Sequence, residues 1–157
     1  MSGLKTGDKA PDFTLPRSGG GNLSLRELHG HKVVLYLYPK DDTPGCTKEA
    51  CGFRDAQPRM EELNAIVVGV SPDGVASHDR FAAKYNLPFA LVADTEHEVA
   101  DAYGVWQQKS MYGNKYMSVQ RSTFVIDENG TLTAIWPKVK PEGHANEVLA
   151  TLRGPSA

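Results

Sequence analysis

Two runs of apolar and β-branched residues place this chain in the α/β class. Residues 32–38, KVVLYLY, and residues 65–71, AIVVGVS, each predict a buried central strand. A helix-length segment that begins near residue 45 lies between them, so the predicted order is strand, helix, strand. Such a unit places both strands in one sheet and covers that sheet with its helix. The chain therefore predicts a central sheet flanked by helices.

The remaining segments predict a mixed sheet with an N-terminal β-hairpin. The hairpin consists of residues 13–15 and 23–25 around a Gly-rich turn, and we expect it to cover one edge of the sheet. The other predicted elements are a helix over 77–85, a short strand at 91–92, a helix over 96–103, a hairpin of 122–127 with 131–136, and a helix over 143–152.

Two positions interrupt this pattern. Pro58 is expected to end or kink the helix that begins near residue 45, because proline lacks the backbone N–H that a helix interior uses. Residues 107–120 form the longest stretch without a predicted element. Loops of that length are usually functional or mobile. Met111, Tyr112, Tyr116 and Met117 in this stretch are expected either to line the apolar mouth of a site or to anchor the loop.

Length and charge limit the possible partners. A chain of 157 residues with 40% apolar composition predicts one domain over residues 1–157. The formal charge of −2 and the pI near 6.2 predict binding neither to nucleic acid nor to an acidic membrane surface. The N-terminus lacks an apolar leader, and no stretch approaches the roughly 20 apolar residues of a membrane span. We therefore expect a cytoplasmic protein.

Both cysteines lie in the run from Pro39 to Cys51, PKDDTPGCTKEAC, which directly follows a predicted central strand. Thr43 is a favourable N-cap and Pro44 fits the first helical position, so Cys46 falls in the first turn. Unpaired backbone N–H groups and the helix dipole favour an anion there, such as a thiolate. Because the thiolate is the nucleophilic form of cysteine, Cys46 is the candidate reactive residue.

Cys51 lies too far along the same helix to bond with Cys46 directly. Five residues of unbroken helix separate the two Cα atoms by roughly 9 Å, from about 7.5 Å of rise and a rotation of about 140°. Disulfides usually require less than about 7 Å between Cα atoms. A bond between the two sulfurs would therefore require the first turns of the helix to unwind, so that a redox cycle would also be a local unfolding cycle.

Neither a disulfide scaffold nor a metal centre is expected. Two cysteines are too few to staple a chain of this length, and in a reducing compartment such a pair is catalytic, metal-binding or buried. A structural zinc site needs about four ligands. The five histidines show no such spacing with the cysteines, and we expect neither a metal nor a cofactor; they are His29, His31, His78, His97 and His144.

The motif formed by Pro39, Thr43 and Cys46, P-x-x-x-T-x-x-C, resembles the active-site motif of the peroxiredoxins. With Cys51 five residues later, the chain looks most like the bacterioferritin-comigratory or peroxiredoxin Q group. Three further segments match in the same order, so the resemblance covers nearly the whole chain: residues 85–106, 121–130 and 138–152. The resemblance implies a thioredoxin-like fold with an N-terminal hairpin. It also implies a peroxidase that reduces hydrogen peroxide and organic hydroperoxides.

The resemblance also implies a role for each site residue. Cys46 matches the peroxidatic cysteine, which becomes a sulfenic acid, and Thr43 matches the hydroxyl that bonds the sulfur and orients the peroxide. Pro39 matches the residue that shields the sulfenate, and Arg121 matches a cation that stabilises the thiolate and the transition state. Cys51 matches the resolving cysteine of one subgroup, with thioredoxin or a similar dithiol as the reductant. Resolution within one chain predicts a monomer.

Simpler interpretations remain open for several of these residues. Cys51 could be a small buried hydrophobe, Thr43 could serve only as a helix cap, and Arg121 could be a surface charge beside a strand. Glu49 could steady the site or be an exposed helix charge. Residues 40–42 are expected to form a solvated loop, of which an aspartate could touch the site.

Two other functions compete with the peroxidase. One is a thiol-disulfide oxidoreductase. The sequence argues against it, because the chain has no C-x-x-C motif and no proline at 121–123. The other is a non-enzymatic redox-sensing or holdase protein that is switched by oxidation of Cys46.

Overall fold

A five-stranded mixed sheet forms the centre of the protein in a computed structural model that describes residues 4–154. The strands are β1 (Thr14–Pro16), β2 (Asn22–Ser24), β3 (Lys32–Leu37), β4 (Ala65–Ser71), β5 (Ala90–Ala93), β6 (Trp106–Met111), β7 (Asn114–Val119), β8 (Ser122–Ile126) and β9 (Leu132–Trp136). The α-helices are α1 (Pro44–Glu62), α2 (Val75–Tyr85), α3 (Glu98–Ala102) and α4 (His144–Arg153). Within residues 4–154, no helix combines the length and apolar character needed to cross a membrane.

The sheet has the strand order β5-β4-β3-β8-β9, with β3 at its centre. β3, β4 and β5 run parallel, as the strand–helix–strand pattern predicts, whereas β8 and β9 form an antiparallel hairpin beside β3. The bounds of α2, α3 and α4 differ from the predicted ones by no more than two residues. The predicted mixed sheet with flanking helices is confirmed.

The side chains of β3 alternate between two hydrophobic cores. Val34 and Tyr36 face one core, which α1 and α4 cover with residues such as Phe53. Val33 and Leu35 face the other core, to which α3 and the N-terminal hairpin contribute. Because successive side chains of a strand point to opposite faces, a continuous apolar run can be buried on both. The central position of β3 follows from its sequence.

The N-terminal hairpin is present where the sequence predicts it. β1 and β2 pair antiparallel, with Leu15 opposite Leu23. Beyond β1, the backbone of Arg17 bridges to Val92 in β5, which is an edge strand of the central sheet. The hairpin connection therefore covers that edge, as expected.

α1 does not end at Pro58. The helix continues to Glu62, with Pro58 inside it and exposed to solvent. A proline in a helix removes one N–H hydrogen bond, but Ala56 and Met60 on either side are buried against the core. This packing holds the helix together, so a helix end at Pro58 is wrong, whereas the alternative of a kink there stays a prediction.

Residues 107–120 are not irregular, which corrects the sequence-based expectation. β6 and β7 form an antiparallel hairpin from Trp106 to Val119. The turn consists of Tyr112 and Gly113, whose φ angles are 52° and 79°. Two successive positive φ angles are typical of a type I′ turn, which joins twisted strands tightly. Most side chains of the hairpin are exposed, so no apolar period marks its strands.

Candidate active site around Cys46

Cys46 lies in the first turn of α1, just beyond the carboxyl end of β3. Thr43 is the N-cap residue, with extended φ and ψ of −96° and 156°, and Pro44 is the first helical residue. The carbonyl of Thr43 accepts a hydrogen bond of 2.8 Å from the amide of Thr47, which closes the first turn. The predicted helix start is confirmed.

Arg121 contacts the sulfur of Cys46. Its Nη2 donates to Sγ at 3.3 Å, and Cys46 is only 1% exposed. The two residues are distant in sequence but close in the sheet, because β8 runs antiparallel to β3 with Ser122 opposite Leu37. The residue before β8 therefore lies beside the loop that follows β3. Arg121 is not a free surface charge.

Glu49 completes a buried charged group at the site. Its Oε1 accepts a hydrogen bond of 2.7 Å from Nη1 of Arg121, and its side chain is 0% exposed, against 15% for the arginine. Glu49 is therefore not the exposed helix charge that one interpretation expected. The sequence did contain a sign of this burial. The positions of Cys46, Glu49, Ala50 and Phe53 follow the i, i+3, i+4, i+7 pattern of one helix face, and all four residues are buried.

The electrostatics of this group depend on burial. Loss of solvent raises the pKa of Glu49 from 4.5 to about 7, although Arg121 opposes the shift. Burial also disfavours the charged form of Arg121, but the neighbouring Glu49 and Cys46 outweigh it and hold the arginine pKa above its usual value. The site therefore keeps a permanent cation next to the sulfur.

Gly45 makes room for the arginine. A Cβ at this position would lie 3.0 Å from Nη2 of Arg121 and 3.6 Å from Cγ of Pro141. Real Cβ atoms rarely approach other atoms so closely, so a larger residue would displace the guanidinium. The glycine in the Thr-Pro-Gly-Cys run is therefore part of the site as well as of the helix start.

Thr43 is half-buried beside the site, but its hydroxyl makes a different bond from the expected one. Oγ1 donates to the carbonyl of Lys40 at 2.9 Å and makes no side-chain capping bond to α1. Because a hydroxyl has one proton, Thr43 cannot also donate to the sulfur of Cys46 in this conformation, although its lone pairs can still accept. Pro39 is half-buried at the start of the same loop.

The loop between β3 and α1 is only partly solvated. Lys40 and Asp42 are exposed, as expected, but Asp41 is 7% exposed and is hydrogen-bonded to Tyr38 and His78. The expectation of a solvated loop was therefore wrong at Asp41. Its sequence position, among other charged residues, carries no sign of this burial.

Cys51 lies in α1 beyond Cys46, and both cysteines are free thiols. Cys51 is half-buried and lines a groove of about 690 Å³ between α1 and the segment that leads into α4. It is therefore not a fully buried hydrophobe. Because α1 is unbroken from Pro44 to Glu62, this is the helical arrangement expected for the reduced protein.

The apolar residues expected at a peroxide mouth lie on the β6–β7 hairpin. They are exposed: Met111 by 55%, Tyr112 by 96%, Tyr116 by 42% and Met117 by 47%. The pKa of Lys109, in the same hairpin, is lowered mainly by burial. Nearby cations, including Arg121, lower it further.

Comparison with known proteins agrees with this geometry. Residues 6–135 match the AhpC/TSA family. The chain is 52% identical to a bcp-named peroxiredoxin of Coxiella burnetii over 149 residues, which are 95% of this chain and 99% of that protein. It is 47% identical to Peroxiredoxin Bcp of Bacillus subtilis over 150 residues, with 96% of each chain covered.

A solved structure supports the same relationship. The bacterioferritin comigratory protein of Xanthomonas campestris, whose structures address its alkyl peroxide reduction activity, matches with a TM-score of 0.89. The two are 40% identical, and the match covers 98% of each chain. The mixed sheet, the flanking helices and the N-terminal hairpin thus form the thioredoxin-like fold of these proteins. The chain belongs to the AhpC/TSA family and, within it, to the bacterioferritin-comigratory or peroxiredoxin Q group of peroxiredoxins.

Proposed function

We propose that this protein is a thiol peroxidase that reduces hydrogen peroxide and organic hydroperoxides at Cys46. The observation that carries the proposal is the contact of 3.3 Å between Sγ of Cys46 and Nη2 of Arg121 at the first turn of α1. This contact combines a nucleophilic sulfur with a fixed cation. Membership of the peroxiredoxin family supports the reaction, and the alkyl peroxide activity of the Xanthomonas relative supports the organic substrates.

The reaction oxidises sulfur and reduces the peroxide. The Cys46 thiolate attacks the terminal oxygen of the peroxide, an S–O bond forms and the O–O bond breaks. The cysteine becomes a sulfenic acid, and the leaving hydroxide or alkoxide takes a proton to become water or an alcohol. No metal or cofactor is needed, since both electrons come from the sulfur.

The surrounding groups have separate roles in this proposal. Arg121 stabilises the negative charge that moves from the sulfur to the leaving oxygen. The Thr43 hydroxyl, whose proton is engaged by the Lys40 carbonyl, accepts a hydrogen bond from the peroxide O–H and so orients it. Pro39 shields the sulfenic acid from water.

Cys51 resolves the sulfenic acid. Its thiol condenses with the oxidised Cys46 to form an intramolecular disulfide and releases water. Because the two residues share one helix, about 9 Å apart by helical geometry, the first turns of α1 must unwind for this step. Thioredoxin or a similar dithiol then reduces the disulfide. Resolution within one chain needs no second subunit, so we propose a monomer.

The two cysteines can be tested separately by peroxide consumption in a stopped-flow instrument with a thioredoxin system. Cys46→Ser should abolish turnover, whereas Cys51→Ser should consume one equivalent of peroxide and accumulate a sulfenic acid that mass analysis detects at Cys46. Turnover by Cys46→Ser, or strong insulin reduction without peroxide consumption, would contradict the proposed function. Normal recycling of Cys51→Ser by thioredoxin would contradict only the resolution step.

Amide exchange tests the unwinding of α1. The experiment would compare amide exchange of residues 45–55 in the reduced and oxidised wild type. Oxidised Cys51→Ser is the matched control, because it cannot form the disulfide. The disulfide form should lose protection in the first turns of α1, while the control should keep it. Equal protection in the two wild-type forms would show that no unwinding occurs.

A further inference from the structure

The loop that leads into the active site is attached to neighbouring segments at several points. The amide of Asp41 donates to Oδ2 of Asp73 at 2.7 Å. The carboxylate of Asp42 accepts bonds of 2.8 Å from Lys84 and 2.9 Å from the hydroxyl of Tyr85. The bonds at Asp42 are exposed, so solvent and salt weaken them. The lasting attachment must come from the buried part of the loop.

The buried part is the carboxylate of Asp41, which is 4% exposed. It accepts hydrogen bonds of 2.5 Å from the hydroxyl of Tyr38 and 2.8 Å from the hydroxyl of Ser77, and it shares a third of 2.7 Å with Nδ1 of His78. Tyr38 directly follows β3, whereas Ser77 and His78 belong to α2. A buried carboxyl group with three hydrogen-bond partners is held firmly, because losing any partner leaves polar atoms unpaired.

His78 connects this carboxylate to the central sheet. Its side chain is 0% exposed, and Nε2 lies 3.0 Å from the carbonyl oxygen of Val92 in β5. A carbonyl can only accept, so Nε2 carries a proton. On the other side of the ring, Nδ1 lies 2.7 Å from Oδ2 of Asp41, which is a hydrogen-bond distance. The ring is thus bonded at both ends, to the sheet and to the loop.

The position of Asp41 gives this link a consequence for the site. Thr43, the N-cap of α1 and the proposed peroxide ligand, is two residues further along, and its hydroxyl bonds to the carbonyl of Lys40 just before Asp41. A shift of Asp41 would therefore move both partners of that bond. Cys46 lies one turn into the helix and has its own contacts with α1 and Arg121.

We propose that His78 is a positioning residue for the peroxide-binding loop: its bond to Asp41 fixes residues 40–43 in the conformation that presents Thr43 to the peroxide. This inference rests on the proposed peroxidase function, because it assigns a purpose to the loop geometry. His78 touches neither the sulfur nor the peroxide and acts only through Asp41.

Two substitutions at His78 separate the two ends of the ring. In His78→Asn the shorter amide reaches the position of Nδ1, so it keeps a donor to Asp41 and loses the bond to Val92. In His78→Gln the longer amide reaches the position of Nε2, so it keeps the donor to Val92 and loses the bond to Asp41. Each variant removes one buried hydrogen bond, so the two are matched controls for lost stability.

The assay compares peroxide oxidation of Cys46 with its alkylation by iodoacetamide at the same pH. Misplacement by about 1 Å can slow a reaction about a hundredfold. His78→Gln should therefore react with hydrogen peroxide about ten to a hundred times more slowly than wild type, whereas His78→Asn should stay within about threefold. Alkylation should be no slower in either variant, because it requires the thiolate but not the oriented peroxide.

Amide exchange of residues 41–43 gives a readout that does not depend on peroxide. His78→Gln should speed exchange about tenfold while His78→Asn leaves it unchanged. This pattern, together with a wild-type protein that does not oxidise Cys46 with peroxide, would support the loop attachment and refute the proposed function instead.

Two results would overturn the positioning role. One is a wild-type peroxide rate in His78→Gln, and the other is an equal loss of rate in the two variants with alkylation slowed to the same degree. If His78→Gln does not fold, Asp41→Ala removes the loop end of the same bond and should slow the peroxide reaction at least several-fold, with alkylation no slower. An unchanged peroxide rate in Asp41→Ala would then refute the inference.

Discussion

Replacing Glu49 with glutamine should flatten the dependence of folding stability on pH. Burial raises the pKa of Glu49 from 4.5 to about 7, so the folded protein holds a proton that the unfolded chain has already released. The free energy of unfolding of the wild type should therefore fall as pH rises through this range. At about 1.4 kcal/mol for each pKa unit, the total loss is between about 3 and 4 kcal/mol, of which about 2 kcal/mol falls between about pH 5 and pH 7.5.

Glutamine is a suitable substitution because it keeps the shape of the side chain and cannot ionise. Its amide oxygen can accept the bond that Oε1 of Glu49 now accepts from Arg121 at 2.7 Å. The second carboxylate oxygen, Oε2, is buried and has no hydrogen-bond partner among residues 4–154, so the amide nitrogen breaks no existing bond. The difference between wild type and Glu49→Gln therefore reports the effect of Glu49 ionisation on the free energy of unfolding.

Urea unfolding at about pH 5 and about pH 7.5 measures the effect. The wild type should lose about 2 kcal/mol more than Glu49→Gln between these values, since all other titrating groups contribute equally to both proteins. Glu142→Gln is the control, because Glu142 is an exposed carboxylate paired with Lys48 and should leave the slope unchanged. Parallel curves for wild type and Glu49→Gln, within about 0.5 kcal/mol, would refute the argument from burial.

The other predictions concern close packing at the site and a buried histidine. Gly45→Ala should displace the guanidinium of Arg121 and slow the peroxide reaction about tenfold, although alanine favours the helix by up to about 1 kcal/mol. Gly52→Ala, whose Cβ would make an ordinary contact of 3.5 Å, is its control, and equal peroxide rates in both variants would contradict the steric argument. Burial lowers the pKa of His144 below 6.5, with Glu147 opposing, so stability should fall with acidification below about pH 6.5. His144→Gln should lose this part of the pH dependence in urea unfolding; an unchanged slope would contradict it.

The strands of the central sheet were predictable because their side chains are buried on both faces. β3 and β4 carry almost uninterrupted runs of apolar residues. Runs of this length and composition are typical of strands that are buried on both faces of a sheet. The β6–β7 hairpin was missed for the opposite reason. Most of its side chains are exposed, so the only local signal was the turn at Tyr112 and Gly113, and tyrosine is an unusual residue for a positive φ.

The site divides in the same way between local and distant interactions. The helix start at Thr43 and Pro44 and the first-turn position of Cys46 depend on neighbouring residues, so they could be inferred from the chain alone. The sequence places Glu49 on the same helix face as Cys46, but it does not show that this face is buried. The bond of Asp41 to His78 spans 37 residues and left no trace in the local sequence.

The sequence by itself determined the central strands, the helix start that carries Cys46, and the separation of Cys46 from Cys51 along one helix. These features depend on backbone geometry and on the period of apolar residues, which neighbouring residues specify. Only the tertiary structure decided that Arg121 reaches the sulfur and that Glu49 is buried with it. Their meeting depends on the antiparallel pairing of β8 with β3 and on loss of solvent, which arise only when distant segments pack together.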